Sequence, residues 1–413
     1  MKMVFEEESC LTAVGQPIPG AAEAVGIGMA CAAAAKSETG KPGESLRIFI
    51  AHSGERGARV LAGSFAAGCA QVGCEVLLGG ECSAWAAASA VRTLGCFMGC
   101  HIHTEITPVF RLFAGDGLSL YARTEDKITA ALYPVKGKGK APDDSVPYSH
   151  YGVIREFAGA DEMYISSLRS RLHGELHGIY ADVYSPSAAV SGEAMRALSG
   201  NGDQMGERIA FHIGSDGGRV SAFSESTGYV FRDKLLMLCC RGLFERGIDA
   251  AFCGSVPRWL EKMAEGCGRR VISCGRNVCT DCSDPSEECS HARLLAAEQG
   301  FTRDGIALMM ETLETLRSRG ETLKDAVASL PPTAVINRYI PADRPSALLK
   351  RLCSPDSKPG VLSDSSRGLV TIRPVRTGKG LMLGVESFSM EAAAELCDIY
   401  EGNIRKLASC SEL

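Results

Sequence analysis

The 413-residue chain has no charge excess of either sign: 44 Lys and Arg stand against 49 Asp and Glu, for a formal net charge of −5. With no basic excess there is no electrostatic footprint for nucleic acid, and no acidic run forms a solvating tail. No stretch approaches the roughly eighteen apolar residues of a membrane span. The opening MKMVFEEESCLTAV carries one early Lys, three Glu and no apolar core of signal-peptide length. The 46 glycines follow no triplet period, which excludes a collagen-like chain. These absences predict a cytoplasmic protein that engages neither membrane nor nucleic acid. No sequence feature names a protein partner.

What is abundant is cysteine, 18 residues. In a chain that is not exported the thiols stay reduced. Cys69, Cys74, Cys82, Cys96, Cys100, Cys239 and Cys240 are scattered mostly among Ala, Val, Leu and Gly. Buried Cys behaves as a small hydrophobe, so most of these read as core filler. The length exceeds one core and predicts two to four domains.

Residues 46–51 form a short apolar strand pattern, followed by an Ala-rich amphipathic stretch over 59–72, Gly73 as a stop, and a second strand pattern over 75–78. That order is a βαβ unit with parallel strands. A helix is predicted over 85–93, ended by Leu94-Gly95. Strand patterns return at 209–211, before a Gly-rich loop, and at 269–273. A helix over 305–319 has apolar residues at 306, 309, 310, 313 and 316 and stops at Gly320. Linkers are predicted at 136–142 and 355–360, where Gly or Pro combines with charge. Beyond the second, strands over 368–373 and 381–385 and a helix over 389–406 close a small α+β module.

The order of these signals resembles the α-D-phosphohexomutase superfamily, carried best by 209–211 before a Gly/Asp loop, Asp304-Gly-Ile306 before a long helix, and Arg373-Pro374 after a strand. The resemblance covers most of the chain from about Leu46 onward. It implies an α/β chain of four domains: three similar mixed α/β sandwiches and a small C-terminal α+β domain. The expected boundaries are 1–138, 139–250, 251–350 and 351–413. One loop from each domain would meet in a central cleft. Residues before about Glu44 lack the family's usual Phe-Gly-Thr-x-Gly-Ile-Arg-Gly opening. The family's reaction passes a phosphoryl group between a phosphoserine and a hexose phosphate. It needs an in-line nucleophile, a metal and cationic clamps.

The family's serine loop, Thr-Ala-Ser-His-Asn-Pro, corresponds to His103-Thr104-Glu105 within 99–108. The resemblance therefore puts Glu105 at the phosphoserine position and Arg111 near a lysine position. A shifted alignment puts His101 there instead, and neither supplies a hydroxyl. A carboxylate mimics part of the phosphoserine charge without a transferable group. His101 and His103 alternate on the preceding strand and share a face. The metal loop, Asp-Gly-Asp-Ala-Asp-Arg, becomes His212, Gly214 and Asp216 with two extra glycines before Arg219. One carboxylate in place of three makes a weak magnesium site or none.

The sugar loop, Gly-Glu-x-Ser-Gly-His, corresponds to 286–291, with Glu287 and His291 kept and Cys289 in the serine position. The phosphate loop, Arg-Pro-Ser-Gly-Thr-Glu-Pro, reads Arg373-Pro-Val-Arg-Thr-Gly-Lys-Gly380. There Arg373, Arg376, Thr377 and Lys379 would cradle an anion. Independently, Cys274, Cys279, Cys282, Cys289 and His291 lie within eighteen residues, a spacing that suits zinc or an iron–sulfur cluster.

The expectation is a catalytically impaired or inactive member of the superfamily that retains, at most, binding of a phosphosugar or similar anion. One alternative is an active, magnesium-dependent intramolecular phosphotransferase interconverting hexose 1- and 6-phosphates. Another is a zinc or iron–sulfur protein built on the Cys274–His291 segment.

Overall fold

A computed structural model describes residues 2–14, 18–39, 46–105, 107–133, 147–199, 206–253, 256, 258–273, 287–342, 345–352, 360–375 and 380–409. The chain falls into two compact units. One comprises Met1–Ser255 and Val271–Val327, the other Val256–Arg270 and Ala328–Leu413.

The first unit opens with a seven-stranded mixed sheet. Its strands are β1 (Lys2–Phe5), β2 (Cys10–Val14), β3 (Arg47–His52), β4 (Glu75–Glu81), β5 (Met98–His103), β6 (Val109–Ala114) and β7 (Ile154–Glu156), in the order β1-β2-β6-β5-β3-β4-β7. Central β3 is parallel to β4 and β5. It is buried from Ile48 to Ala51, which is why it reads as an unbroken apolar run. Helices Arg56–Gln71 and Ala84–Thr93 follow the predicted βαβ grammar. Gly73 at φ +87° ends the first, and the Ser83 side chain caps the second by accepting the Ala86 N–H. Cys31, Cys69, Cys74 and Cys100 lie in the core between helices and sheet, with burial pushing their thiols up. They are filler, as expected of small hydrophobes.

β7 pairs with β4, so the first sheet reaches residue 156, past the expected limit at 138. The residues before Glu44 are integral to the same body: β1 and β2 form a hairpin on β6, and helix Ala21–Thr39 packs on helix Arg56–Gln71. The predicted linker at 136–142 lies outside the described residues.

The second sheet, in the order β11-β10-β9-β8, contains β8 (Gly178–Tyr184), β9 (Gly206–Ile213), β10 (Val220–Ser224) and β11 (Gly228–Phe231). The third is a parallel pair, β12 (Ala250–Phe252) and β13 (Val271–Ser273). Helix Gly305–Arg319 is buried at every position from 305 to 316. Its cap, Asp304, is 5% exposed. Asp304 accepts the Ile306 and Ala307 N–H groups and the Tyr164 hydroxyl, the last at 2.6 Å. Asp304→Ala is expected to lower the unfolding free energy by about 2 kcal/mol in urea titration, because two helix N–H groups and a buried phenol lose their acceptor together.

The second unit is built on an antiparallel sheet, β14 (Ala334–Pro341), β15 (Val361–Ser365), β16 (Gly368–Pro374) and β17 (Gly380–Ser387), in the order β14-β17-β16-β15. Helix Met390–Ser409 packs on it around Val370, Ile372, Leu383, Val385 and Leu396. β14 pairs along its whole length with β17, so the fourth sheet starts at 334. The pairing joins residues that are 39 to 53 positions apart in the sequence.

Candidate functional site

In the first unit β5 and β6 run antiparallel with His101 opposite Arg111, so both side chains stand on one face of the sheet. His101 is buried. Its Nε2–H donates to the Cys82 carbonyl at 3.0 Å, and Nδ1 has no partner. Burial, opposed by that hydrogen bond, holds its pKa down to about 3, so the ring is neutral. Arg111 is 7% exposed. Its Nε donates to Cys10 Sγ at 3.4 Å, one terminal nitrogen pairs with Glu8 at 3.2 Å, and the guanidinium lies 5.2 Å from the centre of the Trp85 ring.

One turn beyond β5, Glu105 is exposed and accepts the Ser215 hydroxyl at 3.4 Å. His103 is held below its ordinary pKa by burial and the Arg111 charge, against the carboxylates of Glu105, Glu55 and Asp216. Ser215 belongs to the turn between β9 and β10. There Gly214 N–H donates to Arg219 C=O and Gly217 N–H to Gly214 C=O. Gly217 has φ +70°, and a Cβ there would lie 2.8 Å from Trp85. Its carbonyl accepts the Gly305 N–H at 2.7 Å. Glycine is thus required where this turn is clamped between Trp85 and the start of the central helix.

Residues of the expected serine and metal loops thus come near one another: Glu105 is hydrogen-bonded to Ser215, and the charges of Arg111, Glu105 and Asp216 act on His103. The other expected metal ligand does not join them. His212 lies on the exposed face of β9, where its ring stacks 5.3 Å from Tyr184 and tilts against Tyr229 at 6.1 Å. Asp216 accepts the Gly218 N–H at 3.2 Å and faces Arg219 at 3.8 Å. Among the described residues no group of three His, Cys, Asp or Glu side chains could hold a metal ion. These residues do not fit the magnesium that the resemblance implies: one of the three positions carries a carboxylate, and that carboxylate is already engaged.

The expected sugar loop is not a loop from Glu287 onward, since helix Glu287–Glu298 begins there, with His291 exposed on it. The side chains of Glu287 and Cys289 lie outside the described set, as do Cys274, Cys279 and Cys282 of the zinc or iron–sulfur proposal. Arg373 lies next to the end of β16 in the second unit and is exposed, while Arg376, Thr377 and Lys379 lie outside the described residues. Trp85, Glu8 and Ser215 escaped the sequence reading. Trp85 is one of only two tryptophans, a signal that marks it but not its neighbours.

The mixed α/β sheets followed by an antiparallel C-terminal sheet are the phosphohexomutase fold. A phosphoglucomutase/phosphomannomutase family protein of Burkholderia thailandensis is similar over 99% of this chain and 98% of that one, with a TM-score of 0.70 and 14% identity. In sequence, a phosphoglucosamine mutase of Levilactobacillus brevis is 26% identical over 239 residues, 49% of this chain and 51% of that protein. A phosphoglucosamine mutase of Exiguobacterium is 22% identical over 348 residues, 71% of this chain and 75% of that protein. The match thus spans about half the length of the first relative and three quarters of the second. No family model matches the chain. The fold is the one shared by the α-D-phosphohexomutase superfamily, and the sequence carries a distant likeness to its phosphoglucosamine mutases. No described helix is long and apolar enough to cross a membrane.

Proposed function

We propose that this chain binds a phosphosugar or a similar phosphoryl anion beside Glu105 and Arg111 and does not carry out the family's phosphoserine relay. The observation that supports this most is Glu105 itself. It holds a permanent carboxylate at the position the resemblance assigns to phosphoserine, and that carboxylate is hydrogen-bonded to Ser215. The anion's charge would be met by the buried guanidinium of Arg111.

Melting with glucose 1-phosphate, mannose 1-phosphate and glucosamine 6-phosphate should raise the transition temperature by mass action, and Arg111→Lys should diminish the rise. No interconversion should occur with magnesium and a hexose bisphosphate present. Turnover that vanishes in Glu105→Ala or Asp216→Ala would overturn the reading, as would the absence of any melting shift.

A second reading has one observation in its favour. The Ser215 hydroxyl, hydrogen-bonded to a carboxylate, is arranged as a nucleophile beside a base, which an active phosphotransferase would need. Intact-mass analysis after incubation with glucose 1,6-bisphosphate separates the two. An added phosphoryl group on Ser215 favours transfer, and an unchanged mass favours binding alone.

A further inference from the structure

Among the described residues, Glu8 and Ser9 are the non-glycine positions with positive φ, +54° and +55°. Two successive side-chain-bearing residues in the left-handed region are strained, and such strain persists only where the surroundings impose it. Ser9 is where it is imposed. The residue is buried, its hydroxyl donates to Glu125 at 2.6 Å, and its oxygen accepts the Leu120 N–H at 2.9 Å. The turn between β1 and β2 is thereby pinned from behind, and it presents the Glu8 carboxylate to Arg111 at 3.2 Å.

The two partners are unequal. Arg111 is held by the sheet, by Cys10 and by the Trp85 ring, and its Nη1 has no partner. The Glu8 side chain is 51% exposed and hangs on a strained turn. A buried guanidinium needs an anion, and the carboxylate that serves it is the component with an easy route into water.

We propose that Glu8 is a resident anion: it occupies the Arg111 guanidinium until an incoming phosphoryl group displaces it, and it thereby sets the affinity of this site for phosphoryl ligands. The inference rests on the reading above that the site takes a phosphoryl anion. A phosphoryl group carries more charge than a carboxylate and can span both terminal nitrogens of the guanidinium, including the one left unpartnered. On displacement the Glu8 side chain enters solvent, while the Ser9 hydrogen bonds keep the turn in place.

The test is calorimetric titration of the full chain with inorganic phosphate and, separately, with glucose 6-phosphate, at one fixed ionic strength. Glu8→Gln should tighten binding about fivefold relative to the parent chain, because a competing half-exposed ion pair and one repelling charge are removed. Tightening for both ligands assigns the subsite to the phosphoryl group alone. Tightening for the ester alone assigns it to the phosphosugar. Glu8→Gln combined with Arg111→Met should lose the gain, which ties it to the guanidinium. If the parent chain binds and Glu8→Gln binds equally or more weakly, the resident-anion inference falls and the site reading stands. If neither protein binds either ligand, both fall.

Discussion

Valine at Gly28 or at Gly68 is expected to lower the unfolding free energy by more than about 3 kcal/mol, the largest loss foreseen for any single substitution in the first unit. The two glycines face each other across the contact of helices Ala21–Thr39 and Arg56–Gln71. A Cβ at Gly28 would lie 2.2 Å from the carbonyl oxygen of Phe65, and one at Gly68 would lie 2.1 Å from that of Val25. Both obstacles are backbone of the partner helix, so no rotamer change relieves them. The helices would have to separate, opening the core around Ile27, Cys31, Phe65 and Cys69. Even alanine should destabilise here, although in an open helical position Gly→Ala gains up to about 1 kcal/mol of propensity.

The same two helices supply the control. Gly26 and Gly63 are exposed, and a Cβ at either would meet nothing within 4 Å. Gly26→Ala and Gly63→Ala should therefore raise the urea midpoint. Four variants measured together decide the matter: equal effects at all four positions would mean that helix propensity, not close approach, governs these sites.

The second large effect concerns Glu193, on helix Ala188–Leu198, which is 1% exposed. One carboxylate oxygen accepts the Ser83 N–H at 2.8 Å, and the other has no partner. Burial, with the Ser83 hydrogen bonds opposing and the charges of Asp304 and Asp161 adding, lifts its pKa from 4.5 to about 7. The sign follows from linkage. A carboxyl group whose folded-state pKa is raised stabilises the fold in its protonated form. Its contribution is complete below the unfolded value of 4.5 and is lost as pH rises through about 7. Over that window the loss amounts to roughly 3 kcal/mol.

Glu193→Gln keeps the shape and an acceptor for Ser83 and removes the charge. Relative to the parent chain it should gain about 3 kcal/mol between pH 4.5 and pH 8. Urea titrations at those two pH values read this directly. Parallel pH profiles for the two proteins would show that Glu193 does not titrate in this window. The position joins segments far apart in the chain, since Ser83 precedes the helix Ala84–Thr93, Glu193 lies in a later helix, and Asp304 caps the central one. Loosening of these contacts with rising pH is therefore the physical content of the effect.

How much of this was legible beforehand depends on the kind of signal. Helix Gly305–Arg319 was read from end to end, because Asp304 and Gly320 mark its termini with capping chemistry. Strand β3 and its neighbours were legible because apolar runs broken by glycine state their period locally. Helix Ala21–Thr39 was not, because it is buried at successive positions from Ile27 to Ala32 and so shows no apolar stripe. The Glu105 position came from resemblance, whereas its contact with Ser215 did not, because the two lie 110 residues apart.

Local order and the alternation of strands and helices are written in the chain without reference to its folding. They are properties of neighbouring residues, and period and capping act over a few positions. Tertiary structure alone decided that Glu8, at the start of the chain, serves as counter-ion to Arg111, and that Trp85 and Gly217 clamp the turn holding Ser215. It alone turned His212 into an aromatic stack instead of a metal site. The reason is physical: a charge or a ring selects its partner by what burial leaves within a few ångströms, and strand order, not sequence distance, sets that neighbourhood.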